Sequence, residues 1–231
     1  DQPRSRGLGD VYKRQVTTTP LVLMGNADYD NMPSDWTDLT KDEYKGLYQL
    51  HNLGGGTAKT VFASIISRYQ DPDGDLGISD EGWEIAAKFL GNAHNIADGE
   101  DAVGSVIDGT YPMDEHWASG VLTEQKDRDY KFQIMTPDIG EPYVVESLAI
   151  SAGTKKYDTC VAFLNWLGSS DVQLDWSNNY GTIPCQKEAL DQVSDDIKEL
   201  METLKPQDLD WSFIAENVDA WVEKAELEYV Q

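Results

Sequence analysis

Two hydrophobic periods alternate along the chain, and the switches between them predict its elements. Val16 to Met24 is rich in β-formers and ends at Gly25-Asn26, which predicts a strand. Asn31 to Thr40, holding Pro33, Ser34 and Trp36, predicts a turn-rich link, and Leu47 to Leu50 a short strand. Gly54-Gly55-Gly56 breaks the chain. Thr57 then caps a predicted helix to about Tyr69, with Val61, Ile65 and Tyr69 at helical spacing. Asp71 to Gly77 predicts a loop. Ser79 or Asp80 caps a second helix carrying Trp83, Ala87 and Leu90 on one face, and Asp98 to Ile107 predicts a third. Tyr111 to Glu115, Lys131 to Met135 and Val144 to Ile150 read as strands. Lys155 to Leu167 reads as a helix with Tyr157, Val161, Leu164 and Leu167 on one stripe. Two acidic amphipathic helices close the chain. One carries Leu190, Val193, Ile197, Leu200 and Leu204; the other carries Trp211, Ile214, Val218, Trp221 and Ala225.

Strands alternating with helices place the chain in the α/β class. Its 231 residues, 40% apolar with seven Trp and eleven Tyr, suffice for a real core and argue against intrinsic disorder. No apolar run approaches the ~18–20 residues of a membrane span. The net charge of −24 argues against nucleic-acid binding, because neutralising phosphates needs clustered Lys and Arg. It argues equally against a basic membrane-surface patch.

Residues 1–15 differ from the rest. They hold four of the eighteen basic residues, and Asp10-Val11-Tyr12-Lys13-Arg14-Gln15 resembles the translation of a transposon-end adapter used in sequencing libraries. They are set aside as non-native. Without the natural N-terminus, a missing signal peptide or lipid-attachment cysteine says nothing about location.

Gly54-Gly55-Gly56-Thr57 is the most suggestive local feature. A helix N-terminus offers unpaired N–H groups and partial positive charge, glycines admit a ligand to the backbone, and Thr57 and Thr60 add hydroxyls. Such a site suits phosphate, phosphonate or carboxylate, although the Walker pattern is absent. An ordinary turn fits the same residues. Asp71-x-Asp73-x-Asp75 resembles the start of a calcium loop, but Leu76 and Gly82 stand where an EF-hand needs Gly and Glu, so a solvated acidic turn is the better reading. Glu115-His116-Trp117 follows a predicted strand. Adjacent strand residues point to opposite faces, so Glu115 and His116 form no automatic dyad, and ligand contact suits them better. His51, His94 and His116 lack zinc-ligand spacing. Cys160 and Cys185 fit either a disulfide or two buried thiols. No nucleophile motif is present.

The order of several segments resembles extracellular solute-binding proteins of ABC importers, in the iron(III)/phosphonate/thiamine/polyamine-like branch. Pro33-Ser34-Asp35-Trp36-Thr37-Asp38-Leu39 followed by Tyr44-Lys45-Gly46 is similar to that family's "P-x-x-W-x-D-L … Y-K-G-K". Leu53 to Ala58 falls where it has "D-P-x-x-S-G-T-A", and Val106 to Met113 where it has "v-x-x-G-e-y-p-i-g". Val145 to Ile150 resembles its hinge strand "v-e-s-x-a-i". Ala162 to Leu167 with Ser169 to Gln173, then Tyr180 to Pro184, resemble "a-x-x-F-i-d-W-l-l-S-x-e-v-Q" and "y-G-x-x-P". Together these cover nearly all of 20–231.

The resemblance implies a two-lobed type 2 periplasmic-binding-protein-like α/β fold with most of lobe 1 missing. It places the end of lobe 1 and a hinge crossing at 16–43, and lobe 2 at 44–140. It places the hinge return and C-terminal helices packing on lobe 1 at 141–231. Such a fragment is expected to expose apolar surface that lobe 1 covers. The implied function is capture of a small polar solute for an ABC permease, with no catalysis, cofactor, metal ligand or nucleic acid. The implied location is periplasmic or a cell-surface lipoprotein, and the complete protein is expected to be a monomer. The implied solute contacts are Asn26, Gly55, Gly56, Thr57, His116, Trp117 and Tyr143. Iron carriers of the group use adjacent tyrosines; none occur here, and the comparable stretch is Glu115-His116-Trp117, which disfavours ferric iron. His51 replaces the usual Asp and leaves Lys59 in the first helical turn. An anionic solute, a phosphonate or phosphate ester, is therefore expected. Polyamine or thiamine is the alternative, held by Trp117 and Tyr143 through cation–π contact. A solute-sensing module, or an enzyme using Glu115 or His116 as acid–base, is a further alternative.

Overall fold

The computed structural model describes residues 13–230. In chain order the elements are β1 (Lys13–Gly25), β2 (Tyr48–Leu50), α1 (Gly56–Ile66), β3 (Gln70–Asp75), α2 (Asp80–Asn92), β4 (His94–Asn95), α3 (Ala102–Asp108), β5 (Met113–Trp117) and α4 (Ala118–Arg128). They continue with β6 (Gln133–Ile134), β7 (Tyr143–Ala149), α5 (Tyr157–Leu167), α6 (Ser170–Tyr180), β8 (Ile183–Pro184), α7 (Lys187–Leu190), α8 (Asp195–Thr203) and α9 (Trp211–Glu228). Among the described residues no helix is long and apolar enough to cross a membrane. The chain divides into two compact units. The larger comprises Pro20–Tyr143 with the residues from Thr203 on; the smaller comprises those up to Thr19 with Val144–Glu202.

The larger unit is built on the strand order β4-β2-β5-β1-β6. β2 is parallel to both β4 and β5. β1 runs antiparallel to β5, from Leu21 opposite Trp117 to Gly25 opposite Met113, and antiparallel to β6. Val22, Leu23 and Met24 are all fully buried, which explains why this stretch reads as a continuous apolar run rather than an alternation. α1, α3 and α4 pack on β5, and α1, α2 and α9 pack on one another. Phe62, Ile65, Ile66, Phe89 and Trp221 fill the space between them. Each such side chain contributes roughly 1.5–3 kcal/mol by leaving water.

A short helical turn at Trp36–Thr40 opens with a capping box from Asp35 and Asp38. Trp36 is fully buried, and its Nε1 donates to Glu141 Oε2 at 2.7 Å. Arg68 Nη1 donates to both Asp35 oxygens, at 2.7 and 3.0 Å. Glu141 N donates to Lys205 O, and Gln207 N to Glu141 O, so the segment leading to α9 is pinned here.

In the smaller unit Thr17 and Thr18 of β1 pair with Pro184 and Ile183 of β8. Thr17 Oγ1 donates to Glu146 Oε2 at 2.7 Å. α6 packs against α5, α7 and β8 and ends at Gly181, whose φ of 68° is a conformation that favours glycine. Tyr157, Phe163, Trp166, Trp176 and Tyr180 of α5 and α6 are exposed.

Several sequence expectations change. Of the segment set aside as adapter-derived, 1–12 lie outside the described residues. Lys13-Arg14-Gln15 open β1, and Arg14 donates to Asn165 Oδ1 at 3.2 Å and to Gly168 O at 3.0 Å. Thr57 is not a cap: Gly55 occupies that position without a side-chain bond, and Thr57 lies inside α1. The expected loop at Asp71–Gly77 contains β3. Asp75 is paired with Lys224 at 3.2 Å, so a lysine already supplies the positive charge a calcium ion would bring. Tyr157 and Trp211 lie off their buried stripes, exposed. The single helix expected around Leu190–Leu204 is two, α7 and α8, with a turn between them. α9 packs on α1 and α2 within the larger unit. The two cysteines are unpaired, and Cys185 is exposed rather than buried.

Candidate functional site

β2 and β5 end side by side because they are parallel, with Tyr48 opposite Met113 and Gln49 opposite Asp114. Continuing that register sets His51 opposite His116. Their ring centroids are 6.3 Å apart, and His51 lies equally far from the Trp117 ring. His116 and Trp117 stack at 4.2 Å and 13°. β5 leads directly into α4 at Ala118, and β2, ending at Leu50, reaches α1 at Gly56 through a short loop. Neither N-cap, Gly55 or Trp117, supplies a side-chain bond, so two sets of helix N–H groups face this edge without a side-chain cap. The carboxyl ends of parallel strands are where open α/β sheets characteristically bind ligands.

The edge thus brings together Gly55, Gly56, Thr57, His116 and Trp117. Gly54, Gly55 and Gly56 are exposed, and Trp117 is 39% exposed. Thr60 Oγ1 is spent on Gly56 O at 2.7 Å. Lys59, expected beside an anion, instead reaches Asp219 at 3.1 Å. Gly120 makes the stacked pair possible, since a Cβ there would lie 2.5 Å from Trp117 Nε1 and 2.7 Å from His116 Nε2.

The structure does not bring Asn26 to this group. Asn26 follows the far end of β1, beside Met113, and the four residue-to-residue steps from Met113 to Trp117 span about 13 Å. Its Nδ2 donates to Val106 O and Ile107 O, and its Oδ1 accepts from Asp28 N. These bonds tie β1 to the end of α3. Tyr143 lies at the same end of the sheet as Trp117 but across β1, since Leu21 faces Trp117 and also donates its N–H to Pro142 O. The Tyr143 hydroxyl donates to Leu204 O at 3.1 Å, and burial pushes it up to about 12.

Alternation along β5 sorts its polar residues. Asp114 and His116 share one face and Glu115 takes the other. All three are buried, and among the described residues both Asp114 oxygens, both Glu115 oxygens, His116 Nδ1 and His51 Nε2 are buried without a hydrogen-bond partner. Burial raises the Asp114 carboxyl, and burial together with the Asp114 charge pushes Glu115 up to about 8. The separation of Glu115 from His116 leaves them no acid–base dyad. Asp114 and His51 are the members of the group that the sequence reading did not select. The i, i+2 spacing of Asp114 and His116 on a strand was the available signal.

Residues 9–205 match the family described as bacterial extracellular solute-binding protein. A probable ABC transporter periplasmic-binding protein of Sinorhizobium fredii is 33% identical over 216 residues, covering 92% of this chain. The chain spans only 60% of that relative's length. Among solved structures, the ferric binding protein from Campylobacter jejuni superposes with a TM-score of 0.77 at 19% identity, over 99% of this chain and 77% of that one. The apo ferric ion-binding protein A of Pasteurella haemolytica gives 0.78 at 18% identity, over 93% and 68%. These likenesses show the α/β periplasmic-binding-protein fold.

Proposed function

Because the chain belongs to the bacterial extracellular solute-binding protein family, we propose that it is part of the substrate-binding component of an ABC importer, acting outside the cytoplasm. It captures a small polar solute, hands it unchanged to a membrane permease, and is monomeric when complete. The observation that carries this reading is the carboxyl edge of β2 and β5, where two helix N-termini without side-chain caps meet exposed glycines, Thr57, His116 and Trp117. Backbone N–H groups and the helix dipole there favour an anionic group, a phosphonate or phosphate ester. Most of the larger unit corresponds to the second lobe, and the smaller unit to part of the first.

A second reading has its own support. Trp117 is exposed and backed by His116, and the net charge of −24 draws cations, so a polyamine or thiamine fits an aromatic platform. Thermal stabilisation by a panel of both solute classes separates the two. A ligand at 100 times its Kd adds about 2.7 kcal/mol. A shift with a phosphonate or phosphate ester, lost in Thr57→Ala and Trp117→Ala, supports the anion site. A shift with polyamine or thiamine alone replaces it. Unchanged affinity in both variants would place the solute elsewhere.

A further inference from the structure

We propose that His51, Asp114 and His116 form a binding site for a divalent transition-metal ion of the zinc class at the carboxyl edge of β2 and β5. One ligand atom from each lies within 4.8 Å of the others. His116 Nδ1 and Asp114 Oδ2 are 3.2 Å apart, close to the ~3.3 Å that separates two donors on a tetrahedral zinc ion with bonds near 2.0–2.1 Å.

His116 Nδ1 and Asp114 Oδ2 stand at ion-pair distance but not in hydrogen-bond geometry. His116 Nδ1 and both Asp114 oxygens have no hydrogen-bond partner, although Asp114 is wholly buried and His116 is 5% exposed. His51 Nε2, from the neighbouring strand end, is likewise buried and unpartnered. A buried carboxylate without a hydrogen bond to either oxygen is costly, and it persists where a partner or a metal ion completes it. The fold also explains why the three meet. Alternation puts Asp114 and His116 on one face of β5, and the parallel register of β2 carries His51 opposite them.

The donor set selects the ion. Two imidazole nitrogens and one carboxylate suit zinc, cobalt, nickel or copper, whereas calcium and magnesium require oxygen ligands. Three protein ligands leave a fourth position open. His51 is only partly buried and Trp117 beside it is exposed, which gives the ion a way in. The net charge of −24 raises the local concentration of any cation.

The site stands on side chains of the larger unit and holds whether or not the importer reading does. Its test is therefore run without solute, and the solute panel is run on chelator-treated protein. Metal-stripped chain is titrated with Zn2+, Co2+ and Ca2+, reading the melting temperature and the visible d–d absorption of Co2+. Zn2+ and Co2+ should raise the melting temperature, Co2+ should give an absorption band of low-coordinate nitrogen and oxygen ligation, and Ca2+ should do neither. Asp114→Asn and His51→Gln should each weaken binding by at least the ~10–100-fold that losing an outer-shell partner costs. If Asp114→Asn fails to fold, the less buried His51→Gln carries the test. No Zn2+ effect, an equal effect from Ca2+, or binding undiminished in the folded variants would overturn the site.

Discussion

Glu141 is fully buried at the foot of β7, where it accepts the Trp36 indole N–H. Burial pushes its carboxyl up to about 8, against the Trp36 bond and the nearby Arg68 charge, which act the other way. In the unfolded chain the same group titrates near 4.5. The folded state therefore holds the proton more tightly, and the stability linked to it is lost as pH rises from about 4.5 to about 8. The slope is at most about 1.4 kcal/mol per pH unit. Glu141→Gln keeps an acceptor for Trp36 and removes the titration. Urea midpoints measured across this window should fall less steeply in the variant than in the parent, and parallel curves would acquit the carboxyl.

Helix entry distinguishes α2 from α1. Ser79 caps α2, its Oγ accepting from Gly82 N at 3.2 Å, whereas α1 starts at Gly55 with no side-chain cap. Ser79→Ala should cost about 1 kcal/mol of stability. Thr57→Ala, inside α1 and not a cap, should stay within about 0.5 kcal/mol of the parent. Denaturant titration of both variants checks the pair, and a Thr57→Ala loss as large as that of Ser79→Ala would show that the hydroxyl supports the helix rather than a solute. An uncapped helix start beside exposed glycines makes sense where a ligand supplies the missing acceptor.

At the scale of the molecule, the distribution of exposed aromatics is uneven. Tyr157, Phe163, Trp166, Trp176 and Tyr180 all lie on α5 and α6 of the smaller unit. Phe163 lies against Trp166 and Trp176 against Tyr180, and exposed aromatic clusters of this kind bind hydrophobic dyes and mark a face that another surface covers. The 231-residue chain should brighten such a dye. Phe163→Ser with Trp166→Ser should dim it while the melting temperature changes little, because both side chains are 51–57% exposed. Undiminished dye signal would place the apolar surface elsewhere.

Local pattern was enough to locate β1, α2 and α9, since apolar spacing records which face of an element leaves water, and the ordered family segments pointed to the solute-binding fold. α4 was illegible because Ala118-Ser119-Gly120 opens it with no capping side chain and little apolar period. The break between α7 and α8 was hidden because Leu190, Val193 and Ile197 are spaced as one helix would space them. Glycines before a helix, and a His-Trp pair at a strand end, marked where solute contact was expected. The sequence could not supply the parallel register of β2 with β5, which is set by packing between segments far apart in the chain. That register decides that His51 faces His116 and Asp114; the antiparallel pairing of β1 with β5 puts Asn26 at the opposite end of the strands, and the packing of α9 on α1 gives Lys59 to Asp219, more than a hundred residues away.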